Sequence, residues 1–103
     1  MSLDLKQQAE NFGKGIGSMT RQNILEVLFD GSANVNKIVK ITGFSQPLVS
    51  QHLKILKQCD LVKDTRLGQE IIYELNTATM RCFVNSLVDA LDDYEAWLES
   101  ENT

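Results

Sequence analysis

Apolar residues recur at helical spacing along most of the chain, and the pattern breaks at a few glycine-bearing or polar points. Leu5, Ala9, Phe12 and Ile16 lie on one face of a helix expected over about 3–16, with Gly13, Gly15 and Gly17 weakening its end. Between Val35 and Leu61 the pattern describes two helices joined by a tight turn. Ile38, Val39 and Ile41 make a short apolar helix that fades at Thr42, and Val49, Leu53 and Leu56 form the inward seam of the next. The period then changes. Leu61, Val62 and Lys63 begin a strand, Arg66-Leu67-Gly68-Gln69 reads as a turn, and Ile71, Ile72, Tyr73 and Leu75 form a return strand rich in β-branched and aromatic residues. Met80, Val84, Leu87, Leu91, Tyr94 and Leu98 follow at spacings of 4, 3, 4, 3 and 4, a heptad-like seam on a last helix over about 77–99.

The turn between the paired helices has its own chemistry. Gly43 falls where a helix needs a left-handed residue to stop, a conformation that glycine adopts without a Cβ clash. Ser45 is suited to cap the next helix through its hydroxyl. Pro47, the only proline in the chain, falls in that helix's first turn, where its missing N–H costs nothing.

Two helices so joined, followed by a hairpin, have the construction of a winged helix-turn-helix, in which the second helix enters the DNA major groove. Gln46, Ser50 and Gln51 project from its N-terminal half. Glutamine can pair bidentately with adenine, and serine can donate or accept at several base edges. Lys54 and Lys57 lie further along and suit phosphates. Arg66, Gln69 and Lys63 on the hairpin are further contact candidates. Two plainer readings stand beside this one: a solvated amphipathic helix in an all-helical bundle, and a hairpin tip that only meets water.

The segment SQPLVSQHLKILKQCDLV, residues 45–62, resembles the recognition helix of the ArsR/SmtB repressors. Arg66 through Tyr73 resembles their wing, and Thr20-Arg21 with Ile24-Leu25 the start of their second helix. The resemblance implies a mainly α fold with a small β-hairpin wing in the order ααααββα, in one domain over residues 1–103. It implies a homodimeric bacterial or archaeal repressor on an inverted-repeat DNA operator. The candidate DNA contacts are then Ser45, Gln46, Pro47, Ser50, Gln51, His52, Lys54, Lys57, Arg66 and Gln69, with His52 either structural or DNA-facing. The chain departs from the family at Asp60, where glycine is usual; aspartate tolerates the left-handed conformation better than most residues.

A net charge of −4 sits oddly with DNA binding until it is divided along the chain. Residues 34–75 carry +2, residues 76–103 carry −5 through Asp89, Asp92, Asp93, Glu95, Glu99 and Glu101 against Arg81, and the first 33 carry −1. The acid therefore lies outside the helix-turn-helix, and screening over about 8 Å at physiological salt mutes it. A footprint of +2 implies modest non-specific affinity and reliance on paired half-sites. With 103 residues and 43% hydrophobic content, one modest core is expected.

Phe83, Val88 and Trp97 widen the terminal seam beyond what a thin surface helix needs. A second subunit is therefore expected over Leu5, Phe12, Ile16, Val84, Leu87, Leu91, Tyr94 and Leu98. In the resembling family the first and last helices form the dimer interface; the alternative is that they only close the chain's own core. No apolar run spans a bilayer and the N-terminus is not signal-like, so cytoplasmic localisation is expected, without a membrane partner.

No catalytic constellation or phosphate loop is present, so an enzyme is not expected. Metal-sensing relatives use a cysteine cluster before the recognition helix or an Asp/His/His/Glu set on the last helix. Residues 34–41 lack cysteine, and no histidine follows His52. No metal or cofactor is expected, and the inducer is not legible. Cys59 and Cys82 leave a thiol-based redox response as an alternative. A winged-helix protein-interaction module is another, in keeping with the acidic character.

Overall fold

The side chains that flank the helices decide where they start. The computed structural model describes residues 3–102: α1 (Leu3–Ile16), α2 (Met19–Phe29), α3 (Val35–Thr42), α4 (Gln46–Gln58), β1 (Val62–Leu67), β2 (Glu70–Leu75) and α5 (Thr77–Glu101). Ser18, Asn34, Ser45 and Asn76 each cap a helix by accepting a bond from the backbone N–H three residues on. Gly43 closes α3 in the left-handed conformation, with φ of 76°. Pro47 lies in the first turn of α4.

β1 and β2 pair antiparallel from Val62↔Leu75 to Leu67↔Glu70. A backbone bridge between Ala33 and Tyr73 (3.0 and 2.8 Å) ties this hairpin to the chain entering α3. One face of α2 (Ile24, Leu25, Val27, Leu28) meets Ile38 of α3, Val49, Leu53 and Leu56 of α4, and Leu61 and Val62 leading into β1. Fully burying each such side chain contributes about 1.5–3 kcal/mol. Phe12, Ile16 and Met80 pack partly buried against this core.

The exit of α4 is where the chain uses aspartate for glycine. Asp60 adopts φ of 63°, the single positive value outside glycine among the described residues. Its carboxylate also accepts bonds from Asn76 Nδ2 (3.2 Å) and Thr79 Oγ1 (2.9 Å). These partners open α5, where a helix favours negative charge. Aspartate thus makes the turn and anchors the last helix, which glycine could not.

α5 packs against α1, with the Phe12 and Phe83 rings 5.0 Å apart. Its 25 residues span about 37 Å. The molecule measures 61 × 26 × 23 Å, and no side chain of α5 is fully buried. No helix among the described residues is long and apolar enough to cross a membrane.

The glycines of α1 are not equivalent. A Cβ at Gly15 would collide with the side chain of Leu61, itself buried, whereas a Cβ at Gly13 would meet nothing within 4 Å. Gly15→Ala is expected to destabilise by about 1–3 kcal/mol through overpacking. Gly13→Ala, which only improves helix propensity, should stabilise by about 0.5–1 kcal/mol. Urea titrations of the two variants check this opposition.

Candidate nucleic-acid interface

The buried seam of α4 turns its other residues outward. Val49, Leu53 and Leu56 are inaccessible, while Gln46, Pro47, Ser50, Gln51, Lys54 and Lys57 are exposed, as is the cap Ser45. Gln46, Ser50 and Lys54 follow at four-residue spacing and form one row. The outer face of the N-terminal half therefore carries amide and hydroxyl groups, with cations further along. That sequence of groups suits base edges followed by phosphates.

The hairpin stands beside this row. Gln46 and Ser50 share a cleft of about 320 Å³ with Gln69, Glu70, Ile71 and Tyr73 of the hairpin and with Asn34, Val35 and Asn36. Gln69 is thus brought to the helix. Arg66 is exposed and folds back over the turn, its Nε donating to Gly68 O at 3.3 Å. Leu67 is exposed at the hairpin tip, on the outward side of β1 that follows from the burial of Val62.

Lys57 has a further engagement. Its Nζ lies 3.0 Å from Asp64 Oδ2 on β1, linking the end of α4 to the hairpin. The pair is solvated and its contribution to stability is small, so Lys57 remains available to an anion. Lys63 faces Glu74 across the strands at 3.8 Å.

His52 differs from its neighbours. It is half-buried, with Nδ1 3.1 Å from Arg21 Nη1 on α2. Burial and the Arg21 charge both push its pKa below the usual histidine value, so the ring is neutral at physiological pH. Nδ1 is thus engaged by α2 within the protein.

Asn34, not among the residues expected at the site, lines the same cleft as Gln46 and Ser50. Its Oδ1 caps α3 by accepting from Lys37 N at 2.8 Å, and its Nδ2 donates to Glu70 Oε1 at 3.1 Å. One side chain therefore starts the first helix of the pair and holds the base of the hairpin. An asparagine before an apolar helical run is a capping signal, so half of this role was legible. The contact with Glu70, 36 residues away, was not.

The terminal helices also depart in part from expectation. Leu5 is 3% accessible in the single chain and so is already covered within the protomer. Phe12 and Ile16 are half-buried against the core. Of the terminal helices it is α5 that leaves apolar side chains uncovered, including Val84, Leu87, Leu91 (52%), Tyr94, Trp97 (55%) and Leu98; Met19 and Phe29 of α2 are exposed as well. The Tyr94 and Trp97 rings stack at 6.0 Å on this open face.

Cys59 is buried in the core, and Cys82 is exposed on α5, its Sγ accepting from Gln8 Nε2 at 3.2 Å. Both line one cavity of about 210 Å³ between α1, the exit of α4 and α5. Among the described residues no three His, Cys, Asp or Glu side chains gather as a metal-ligating group.

The family described as bacterial regulatory protein, arsR family, matches residues 18–64, from the cap of α2 into β1. The transcriptional repressor SdpR of Bacillus subtilis is 35% identical over 82 residues, covering 80% of this chain and 91% of the relative. Among solved structures, an ArsR-like transcriptional regulator from Rhodococcus superposes with a TM-score of 0.87. It covers 95% of this chain and 92% of its own, and at 19% identity it speaks for the fold alone. The homodimeric winged helix-turn-helix DNA-binding domain of a possible ArsR-family regulator from Mycobacterium bovis has a TM-score of 0.69 and 29% identity. It covers 90% of this chain and 87% of its own.

The double duty of Asn34 is separable. Asn34→Ala loses cap and hairpin contact together and is expected to cost about 1–2 kcal/mol. Asn34→Ser restores the cap but not the bond to Glu70 and should recover most of that loss. Equal thermal stability for the two variants would mean that the cap contributes nothing.

Proposed function

The chain belongs to the arsR family of bacterial regulatory proteins, and from that membership we infer that it is a DNA-binding transcriptional regulator working as a homodimeric repressor. The observation that carries this reading is the division of α4: an apolar face locked in the core, and an outer face of Gln46, Ser50, Gln51 and Lys54 beside the hairpin. In the proposed complex α4 lies in the major groove. Gln46, Ser50 and Gln51 meet base edges, Lys54 and Lys57 meet phosphates, and Arg66 and Gln69 bring the wing to the backbone.

The second subunit is assigned to the open face of α5. A large contiguous apolar surface on a small protein calls for a partner. A two-fold dimer covers the same face on both copies. The two copies of α4 then address an inverted repeat with half-sites about 34 Å apart, or a multiple of that spacing. The modest positive charge of the DNA-contacting part makes the pairing of half-sites essential to affinity.

One observation favours a second reading of what the regulator answers to. Cys59 and Cys82 line the same small cavity, so a thiol-responsive repressor is the alternative to one that answers to a ligand elsewhere. An electrophoretic shift repeated after thiol alkylation separates the two: release of DNA in the native chain, but not in Cys82→Ser, supports the thiol reading.

The DNA-binding reading is tested by an electrophoretic shift on duplex from upstream of the protein's own coding sequence, at low and high salt. Specific retention that weakens as salt rises is expected; no retention under either condition would leave a winged helix serving protein contacts. At the cognate site Gln51→Ala should cost about 1–3 kcal/mol, and an equal loss on random DNA would remove its base-reading role. Leu91→Asp places an unpaired charge on the proposed subunit face. That variant is expected to be monomeric by light scattering and to lose operator binding, whereas a dimeric variant would move the interface elsewhere.

A further inference from the structure

Arg21 makes more contacts than a surface arginine needs. It stands in the first turn of α2, half-buried, and its guanidinium reaches two other helices. Nε donates to Gly15 O at 3.0 Å and Nη2 to Lys14 O at 2.7 Å. These carbonyls belong to the last turn of α1, where intrahelical partners run out and the negative end of the helix dipole lies. Nη1 lies 3.1 Å from His52 Nδ1 on α4.

That third contact dictates the state of the histidine. A guanidinium has five donors, no acceptor, and keeps its proton in proteins. His52 Nδ1 must therefore accept, so it carries no hydrogen. The ring is neutral, and its one proton is on Nε2. A protonated His52 would place a second cation against Arg21. The histidine's next neighbour in sequence is Gln51, on the outer face of the same helix.

We propose that Arg21 is a positioning residue for DNA binding: it holds His52 in the neutral form with the proton on Nε2, and so links α4 to the end of α1. The proposal rests on the reading of α4 as the DNA-contacting helix. It leaves His52 with one remaining ring function, an Nε2–H donor of a kind that suits a phosphate oxygen. It also gives α1, which packs on α5, a direct polar line to α4 through one side chain. A shift of α1 along its axis moves the Lys14 and Gly15 carbonyls, and with them the group that orients His52.

Burial and charge support the assignment, since both lower the affinity of the ring for a second proton. Charged groups on the elements packed around α4 are Arg21 and Glu26 on α2, Lys37 and Lys40 on α3, and Lys63, Asp64 and Arg66 on β1. Of these, the Arg21 guanidinium is the one that acts on the imidazole.

His52 is the only histidine in the chain, so its imidazole resonances are unambiguous. In nitrogen NMR of the protein without DNA, the Nε2–H tautomer and a pKa below that of a free histidine are expected. Arg21→Ala should give a mixture of tautomers and a higher pKa. A native ring with its proton on Nδ1 would overturn the proposal whether or not the protein binds DNA. Operator affinity is then read by electrophoretic shift at a temperature where the variants remain folded dimers. Arg21→Ala should lose about tenfold, as for a hydrogen bond to a charged group. His52→Leu should lose as much, the double variant no more than either, and His52→Asn, which keeps an acceptor near Nδ1 but has no donor at the Nε2 position, should not recover it. Native affinity in Arg21→Ala, with only a lowered melting temperature, would reduce the residue to a structural role and overturn the proposal. If Arg21→Ala does not fold, Arg21→Lys keeps the charge but cannot span all three acceptors. A several-fold loss is then expected, and unchanged affinity is again fatal. Failure of the native protein to bind any duplex, with the tautomer as stated, would instead strike the DNA-binding reading.

Discussion

The inner face of α4 is the constraint on which the rest depends. Val49, Leu53 and Leu56 are sealed against α2 and α3, and a helix with three inward anchors over two turns has no freedom to roll. Rolling by one residue, about 100°, would expose an anchor and bury a glutamine or lysine without a partner. The direction of the outer face is thus decided by apolar burial, although the groups it displays are polar. The hairpin is placed by the same principle, since Leu61 and Val62 are in the core before the chain turns outward.

Polar contacts then set positions that apolar packing leaves loose. Asp60, Asn34 and Arg21 each serve two or more elements from one side chain. Asp60 joins the end of α4 to the start of α5, Asn34 joins α3 to the hairpin, and Arg21 joins α1 to α4. Each such side chain adds directional bonds at element termini, where backbone groups are otherwise unpaired. In a chain of 103 residues this economy lets a small core hold seven elements in register.

What was legible in the sequence follows the range of the interaction. Gly43, Ser45 and Pro47 act within a few residues of themselves, and their local chemistry identifies the turn and the start of α4. The left-handed state of Asp60 was legible only through the resemblance, which puts glycine at that position. The period of α5 exposed a long seam, and the seam is there, because a repeat sums weak local signals over many turns. The unreadable parts were contacts between distant positions. Nothing near Leu5 says that it is covered within the protomer while Leu91 is not; that depends on where α1 meets α5. His52 in a row of polar residues looks outward until Arg21, 31 positions earlier, is placed beside it. Gly15 reads as a flaw in a helix until Leu61 fills the space that its missing side chain leaves.

The open face of α5 has a bearing on how the protein persists in dilute solution. A helix of 25 residues with no fully buried side chain has little to hold its distal half in place. On the homodimer reading, much of its order is supplied by a second copy, so folding and association form one equilibrium. Stability then becomes a function of abundance. A cell that makes few copies would hold a larger fraction of loosened chains, open to proteolysis. The same helix would thus make the lifetime of each molecule depend on how many others there are.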